Sequence, residues 1–551
     1  MCTTMIITKG AAADGSMIVT HSEDDELADQ RVVFVPAQDH EPGSMRPVLP
    51  LVSIYPRIVS KERGPGYDTE AYPATEPLGE IPQVLHTYAY FDGNYGIMNE
   101  HNLMIGECTN GAKHVPESVS AEQAKENGEH IRLFYTNELS RVALERCTVA
   151  RDAIELMGQL VDEYGYYSTG ETLLVADVDE AWVFEVCAVP DNEYNAVWVA
   201  QMVPDGEMFV AANQFRIREI EDGRDDLMYS ASLHDAAEKV GWWKPADGTL
   251  DWLETVSTGE YRHPYYSLRR VWRVMDRCNP DLGLSPWVEG GYTKAYPFSI
   301  RPNEKISIDK VFALYRDHYE GTQFDMTQGV AAGPFGDPHR FFGAYDTNAT
   351  ELTPETHFYG AWERPISVFY QGFVYVNQAR IEGPAAMRGI MWLGPDVAYT
   401  SCFAPFPAKV SQLPWSYQSG GPAKMDRQSA WWAFDFVGNW SRLNFQRMTS
   451  VDIIPLQRKL ERKALERVAE WDALIENMPY ADAVETITAK SHDHAAEVLA
   501  DWWDLADTIV AKYANGYLNI PNQPPIDIGY PTSWLGHTNY FDGPTSYKVK
   551  F

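Results

Sequence analysis

Cys2-Thr-Thr-Met-Ile-Ile-Thr-Lys-Gly-Ala-Ala-Ala-Asp14-Gly15-Ser-Met-Ile-Val-Thr-His21-Ser-Glu23-Asp24 is the stretch from which the fold is read. Residues 3–8 and 16–22 are rich in β-branched and apolar side chains, and Ala-Ala-Ala-Asp14-Gly15 between them is a turn signal. The pattern predicts an antiparallel hairpin. Such a hairpin returns the chain to its start, so the carboxylates at its far end, in His21-Ser22-Glu23-Asp24 with the acidic run continuing to Asp25, come to lie beside Cys2. Residues 2–8 are therefore a strand, not a secretion signal: no basic leader and no long apolar stretch precede them.

Cysteine in second place has a particular chemistry. Once Met1 is removed, as expected before so small a residue, a neutral α-amine with a pKa of about 7.7–8.0 sits in the same residue as the thiol. The amine can then serve as general base for its own nucleophile.

Working outward, Arg31 to Val35 reads as a third strand ended by Pro36, and residues 38–82 as long surface loops of the kind that border substrate sites. From about 120 to 163 apolar residues recur at three and four, in Glu138–Cys147 and Ala150–Leu160, with Gly165 as a stop. Strands return at Thr172–Asp177, Ala181–Val186, Ala196–Gln201 and Met208–Ala212, spaced as an antiparallel meander, and again at Ile366–Asn377 and Gly389–Leu393. Asp452–Asn477 and His492–Asn515 are helix-patterned, with Pro455 suited to a first turn. Strands, helices, strands and helices in that order predict an α+β chain with two parts: residues 2–450 as the catalytic domain and 451–551 as a C-terminal helical extension packed on it.

Composition removes several classes of function. The 551 residues carry 45 Lys and Arg against 78 Asp and Glu, a net charge of -33. Nucleic acid and anionic membrane surfaces both demand clustered basic residues, so neither is an expected partner. No run approaches the ~18 apolar residues of a membrane helix. Six dispersed cysteines without a CxxC pair suit reduced thiols in the cytoplasm. Without a His-Glu-x-x-His, a phosphate loop or a Gly-x-Ser-x-Gly elbow, no metal or other cofactor is expected. Oligomeric state is left open, with room for a homo-oligomer.

The quoted stretch also resembles the start of the bacterial cysteine dipeptidases of the dipeptidase A type, a family that includes secernins and lies in the N-terminal-nucleophile (Ntn) hydrolase superfamily. Further matching pieces follow in the family's order. They are Asn94-Tyr-Gly-Ile-Met-Asn-Glu100, Gly106-Glu-Cys108, Glu180-Ala-Trp-Val-Phe-Glu185, Val210-Ala-Ala-Asn213-Gln-Phe-Arg-Ile217, Ser267-Leu-Arg-Arg-Val-Trp-Arg273, Glu363-Arg-Pro-Ile366 and Met391-Trp-Leu-Gly-Pro395. The resemblance implies a four-layer αββα sandwich and cleavage of dipeptides or short peptides through an acyl-enzyme on Cys2. It implies Asp24 holding the amine or thiol of Cys2, Asn213 as an oxyanion donor and Arg270 supporting the site. One position departs: relatives often have Arg three residues before the aspartate, where this chain has His21. A histidine there can still donate a hydrogen bond, with a charge that depends on pH. Two other readings share these residues: an acylase cleaving N-acyl amides with the same nucleophile, and a non-catalytic, secernin-like binding protein.

Overall fold

A computed structural model describes residues 1–25, 29–52, 75–191, 193–260, 266–288, 290–340 and 363–539. The opening hairpin is present. Thr4–Ile7 and Met17–Glu23 pair antiparallel, with Thr4 opposite His21 and Ile7 opposite Ile18. They form the middle of a seven-stranded sheet ordered Ser299–Ile300, Met208–Ala211, Thr4–Ile7, Met17–Glu23, Phe373–Ala379, Gly389–Pro395, Ala404–Pro407. Every ladder between these strands is antiparallel.

The second sheet has eight strands. In order they are Leu227–Tyr229, Ala196–Met202, Ala181–Ala188, Gly170–Ala176, Met104–Asn110, Gly96–Asn99, Tyr90–Asp92 and Val33–Val35. The predicted meander holds for Gly170–Ala176, Ala181–Ala188 and Ala196–Met202. Its fourth member does not stay: Met208–Ala211 crosses to the first sheet and pairs with Thr4–Ile7. Alternation along a strand records which element fits the pleat, not which partner it meets.

Both faces of the second sheet are buried, which explains its near-continuous apolar strands. Leu173, Val175, Trp182, Phe184 and Trp198 point into a cluster with the helices Thr136–Arg146 and Ala150–Tyr164. Their neighbours Leu174, Ala176, Val183, Val197 and Val199 point the other way, into a cluster shared with the first sheet. Hydrogen bonds tie sheet to sheet: Tyr375 OH donates to Ile105 O at 2.8 Å and Asn377 Nδ2 to Ile97 O at 3.0 Å. Gly106 permits the closest approach, since a Cβ there would meet Thr20 O and Thr4 Oγ1 at 2.6 Å.

The first sheet carries Leu268–Cys278, Ile308–Tyr315, Ala430–Ser441 and the two long C-terminal helices in the same core cluster. Phe312 packs edge-on to Trp392, and Phe434 meets Trp502 at 4.8 Å. The C-terminal helices are Ile454–Ile475, with Pro455 in the first turn, and Tyr480–Lys512. The second begins twelve residues before the predicted His492 (492 minus 480), because its β-branched first half is held by buried Ala483, Ile487 and Thr488. The region predicted as loops holds short pairings, Gln38–Asp39 with His86–Thr87 and Met45–Val48 with Gly79–Pro82. The rest of that expectation, residues 53–74, lies outside the described residues. Among the described residues no helix is long and apolar enough to cross a membrane.

Candidate active site

Register brings the first candidates together. Thr4 lies opposite both His21 and Ala211, so extending each antiparallel ladder two residues sets Cys2 beside Glu23 on one side and Asn213 on the other. The hairpin continues in hydrogen bonds past the last ladder pair: Ser22 N donates to Thr3 O at 3.0 Å, and Thr3 N to Ser22 Oγ at 3.0 Å. Tyr315 OH, from the helix behind, donates to Thr3 O at 2.8 Å. Cys2 is 1% exposed, and Asp24, Asn213 and Arg270 are wholly buried.

Arg270 links three strands' ends. Its Nη1 donates to Cys2 O at 2.9 Å and Thr3 Oγ1 at 3.0 Å, its Nη2 to Asn213 Oδ1 at 2.7 Å and Ala212 O at 3.2 Å, and its Nε to Tyr266 O at 3.0 Å. The sequence separation from Cys2 is 268 residues. Arg270 lies in the first turn of Leu268–Cys278, and Ser267, just ahead of that helix, donates from Oγ to Asn213 O at 3.0 Å.

Asn213 adopts φ of 63°, the left-handed conformation that asparagine accepts better than other side-chain-bearing residues. With Oδ1 taken by Arg270, its Nδ2 donates to Thr109 O at 2.7 Å. An amide nitrogen has a second N–H. The following backbone is fixed from the second sheet: Glu185 accepts from Arg216 N at 2.7 Å and from Ile217 N at 3.4 Å. Burial pushes the Glu185 carboxyl up to about 8.

Asp24 meets a cation that sequence reasoning did not single out. Arg364 Nη2 donates to Asp24 Oδ2 at 2.5 Å and to Met1 O at 2.7 Å. The Met1 amine donates to Asp24 O at 3.3 Å, and Tyr266 OH contacts Met1 Sδ at 2.8 Å. The signal for Arg364 was in the chain, inside the quoted Glu363-Arg-Pro-Ile366, but nothing local attached a role to it.

His21 lies at the thiol. Cys2 Sγ, a ring nitrogen of His21 and a carboxylate oxygen of Glu107 all fall within 4.8 Å of one another. Nδ1 of His21 is 2.8 Å from Glu107 O, and Nε2 is 3.4 Å from Glu23 Oε2. Burial lowers the His21 pKa, but the Glu23 hydrogen bond and the Glu107 charge outweigh it, and the net direction is up. Burial, reinforced by Glu107, holds the Cys2 thiol well above the ordinary thiol range, against a weaker opposing pull from the amino terminus. With Met1 in place the sulfur is a protonated thiol. Glu107 was also missed as a site residue, although it is the middle of Gly106-Glu-Cys108.

The profile of peptidase family C69 matches residues 1–454. The chain belongs to peptidase family C69. Similarity to individual proteins named as dipeptidases also extends over most of the chain. A probable dipeptidase of Latilactobacillus sakei is 25% identical over 514 residues, covering 93% of this chain and 95% of the relative. Dipeptidase A of Lactobacillus helveticus is 22% identical over 426 residues, 76% of this chain and 77% of the relative. A dipeptidase of Bifidobacterium longum is 23% identical over 461 residues, 78% of this chain and 75% of the relative. The C69 match ends inside the start of the helix Ile454–Ile475, so the two long C-terminal helices lie largely beyond it.

Proposed function

We propose that this C69 chain is a cysteine dipeptidase, with Cys2 as an N-terminal nucleophile once the residue before it is removed. The observation that carries the reading is the bridge by which Arg270 joins Cys2 O to Asn213 Oδ1, with Asp24 bonded to the residue before Cys2. The names of its relatives agree with it. Under this reading the two facing sheets with helices outside them are the αββα layers of an Ntn hydrolase. Residues 2–450 form the catalytic domain, and 451–551 its helical extension. The six cysteines, all free, suit a cytoplasmic enzyme.

The chemistry follows from the positions. The α-amine of processed Cys2 takes the thiol proton, and the thiolate attacks the peptide carbonyl. The second N–H of Asn213 faces the developing oxyanion. The resulting ammonium returns its proton to the departing amino acid, and water then cleaves the thioester with the same amine as base. Asp24 stabilises the ammonium, Arg364 holds Asp24, and Arg270 fixes the carbonyl of Cys2 and turns the Asn213 amide. His21 places an additional ionisable group beside the sulfur.

The test separates amine from thiol. A chain beginning at Cys2 should hydrolyse dipeptides in preference to N-acyl amides. A chain with an unremovable residue before Cys2 should be slower by about 10²–10⁴-fold, the usual worth of a general base, with its thiol still titratable after unfolding. Cys2→Ala should fold and lose all turnover. Equal rates from the blocked and processed chains would defeat the N-terminal-nucleophile mechanism.

A further inference from the structure

The donor set around the sulfur is not only a hydrolase's. A thiol, an imidazole and a carboxylate from three separate strand regions converge within 4.8 Å, all three buried. We propose that Cys2, His21 and Glu107 bind a thiophilic divalent cation, zinc(II) being the ion to test, and that its occupancy reversibly silences the thiol. Binding does not depend on the dipeptidase reading; only its consequence for turnover does.

The donors select the class of cation. Calcium and magnesium take oxygen ligands, whereas sulfur, nitrogen and oxygen together suit zinc. Bonds of about 2.0–2.3 Å place tetrahedral ligand atoms about 3.5 Å apart. Contraction from the observed separations is therefore about 1 Å, within reach of rotation at Cys2 and Glu107.

The surroundings are arranged as they are around metal-binding histidines. Nδ1 of His21 lies 2.8 Å from the backbone oxygen of Glu107, the kind of contact that fixes ring orientation in metal sites, and this leaves Nε2, now 3.4 Å from Glu23 Oε2, as the nitrogen to take the metal. Thr109 Oγ1 donates to Glu107 Oε1 at 3.0 Å. The other oxygen, Oε2, is fully buried, 3.8 Å from His21 Nδ1, and has no hydrogen-bond partner among the described residues.

Binding is a proton exchange without electron transfer. The S–H bond of Cys2 breaks, a sulfur–zinc bond forms, and the proton passes to solvent; His21 gives up its second proton where it carries one. The fourth position falls to the α-amine exposed when residue 1 is removed, which closes a five-membered ring with the sulfur. The same two atoms proposed to act as base and nucleophile are then both engaged by the metal.

Calorimetry of zinc chloride into the full-length chain, in a phosphine reductant, tests the site. One ion should bind per chain. Cys2→Ser and His21→Ala should each weaken binding by more than about 100-fold, beyond the 10–100-fold typical of outer-shell changes, while Cys147→Ser, at a remote thiol, should leave it unchanged. Cobalt(II) should give a near-ultraviolet thiolate charge-transfer band in the parent and in Cys147→Ser, and none in Cys2→Ser, whose fold is checked by circular dichroism. An unchanged affinity in Cys2→Ser, or no thiolate band in the parent, overturns the proposal. Because neither measurement uses a substrate, a chain that binds zinc, yet begins at Cys2 and fails to hydrolyse dipeptides when freed of the metal, would defeat the functional reading alone.

Discussion

Arg364 holds the carboxylate of Asp24 at 2.5 Å from 340 residues away, with both side chains almost fully buried. Among the described residues Asp24 Oδ1 has no hydrogen-bond partner, so this cation carries much of the compensation for a charge removed from water.

Removing the cation should therefore cost more than removing both charges. Arg364→Met should lower unfolding free energy by about 3–5 kcal/mol, the usual result of leaving a buried charge uncompensated. Arg364→Met combined with Asp24→Asn should recover part of that loss. Urea denaturation of the two single variants and the double variant closes the cycle. Strict additivity would mean that the pair is not coupled.

Asn213 carries two burdens that substitution can separate. Asn213→Ala loses the amide but keeps a β-carbon in left-handed backbone, at a cost of about 1–2 kcal/mol relative to glycine. Asn213→Gly loses the amide without that strain. The stabilities should differ by about that amount, with glycine the more stable. Dipeptide turnover should fall by about 10²–10³-fold in both, as for removal of one oxyanion donor. Activity that followed stability instead would take Asn213 out of the chemistry.

Glu185 predicts a pH dependence of stability. Its folded pKa of about 8 lies above the model-compound value of 4.5, so between those values the native chain binds more protons than the unfolded one. The contribution is complete below pH 4.5 and is lost as pH rises to about 8, at up to about 1.4 kcal/mol per pH unit. Glu185→Gln should flatten the stability profile across this window, as read by thermal or urea unfolding at stepped pH. Above pH 8 the parent should also lose hydrolysis as the Asn213–Ile217 segment loosens, and the glutamine variant should lose less. Parallel profiles for the two proteins would rule out a titration at Glu185.

What could be read from the sequence depended on how local each signal was. The hairpin at Thr4–Glu23 was legible from two strand patterns and the Asp14-Gly15 turn. Cys2 was singled out by the chemistry of an N-terminal thiol together with its surroundings and the family resemblance. Asn213 and Arg270 had no such local mark; turn asparagines and helical arginines are ordinary, and their place came from the family resemblance. Arg364 and Glu107 stood inside recognised pieces, yet their partners are set by contacts between chain segments far apart. The crossing of Met208–Ala211 to the first sheet was illegible for the same reason, since a strand's pattern does not name its neighbour. The early start of Tyr480–Lys512 was hidden because burial, not propensity, keeps Val484–Thr488 helical.

The central position of Thr4–Ile7 also orders events in time. Its neighbour Met208–Ala211 follows some 200 residues later in the chain, and Phe373–Ala379, beside the hairpin's return strand, later still. Until these later segments are made, Met1 lacks most of the contacts that hold it in the folded chain. Afterwards Met1 is tied through its amine, carbonyl and sulfur to Asp24, Arg364 and Tyr266. Under the proposed function, trimming back to Cys2 therefore belongs to the interval of synthesis. A polypeptide that folded untrimmed would then seal its own reactive end, and the yield of competent protein would be a race between excision and translation.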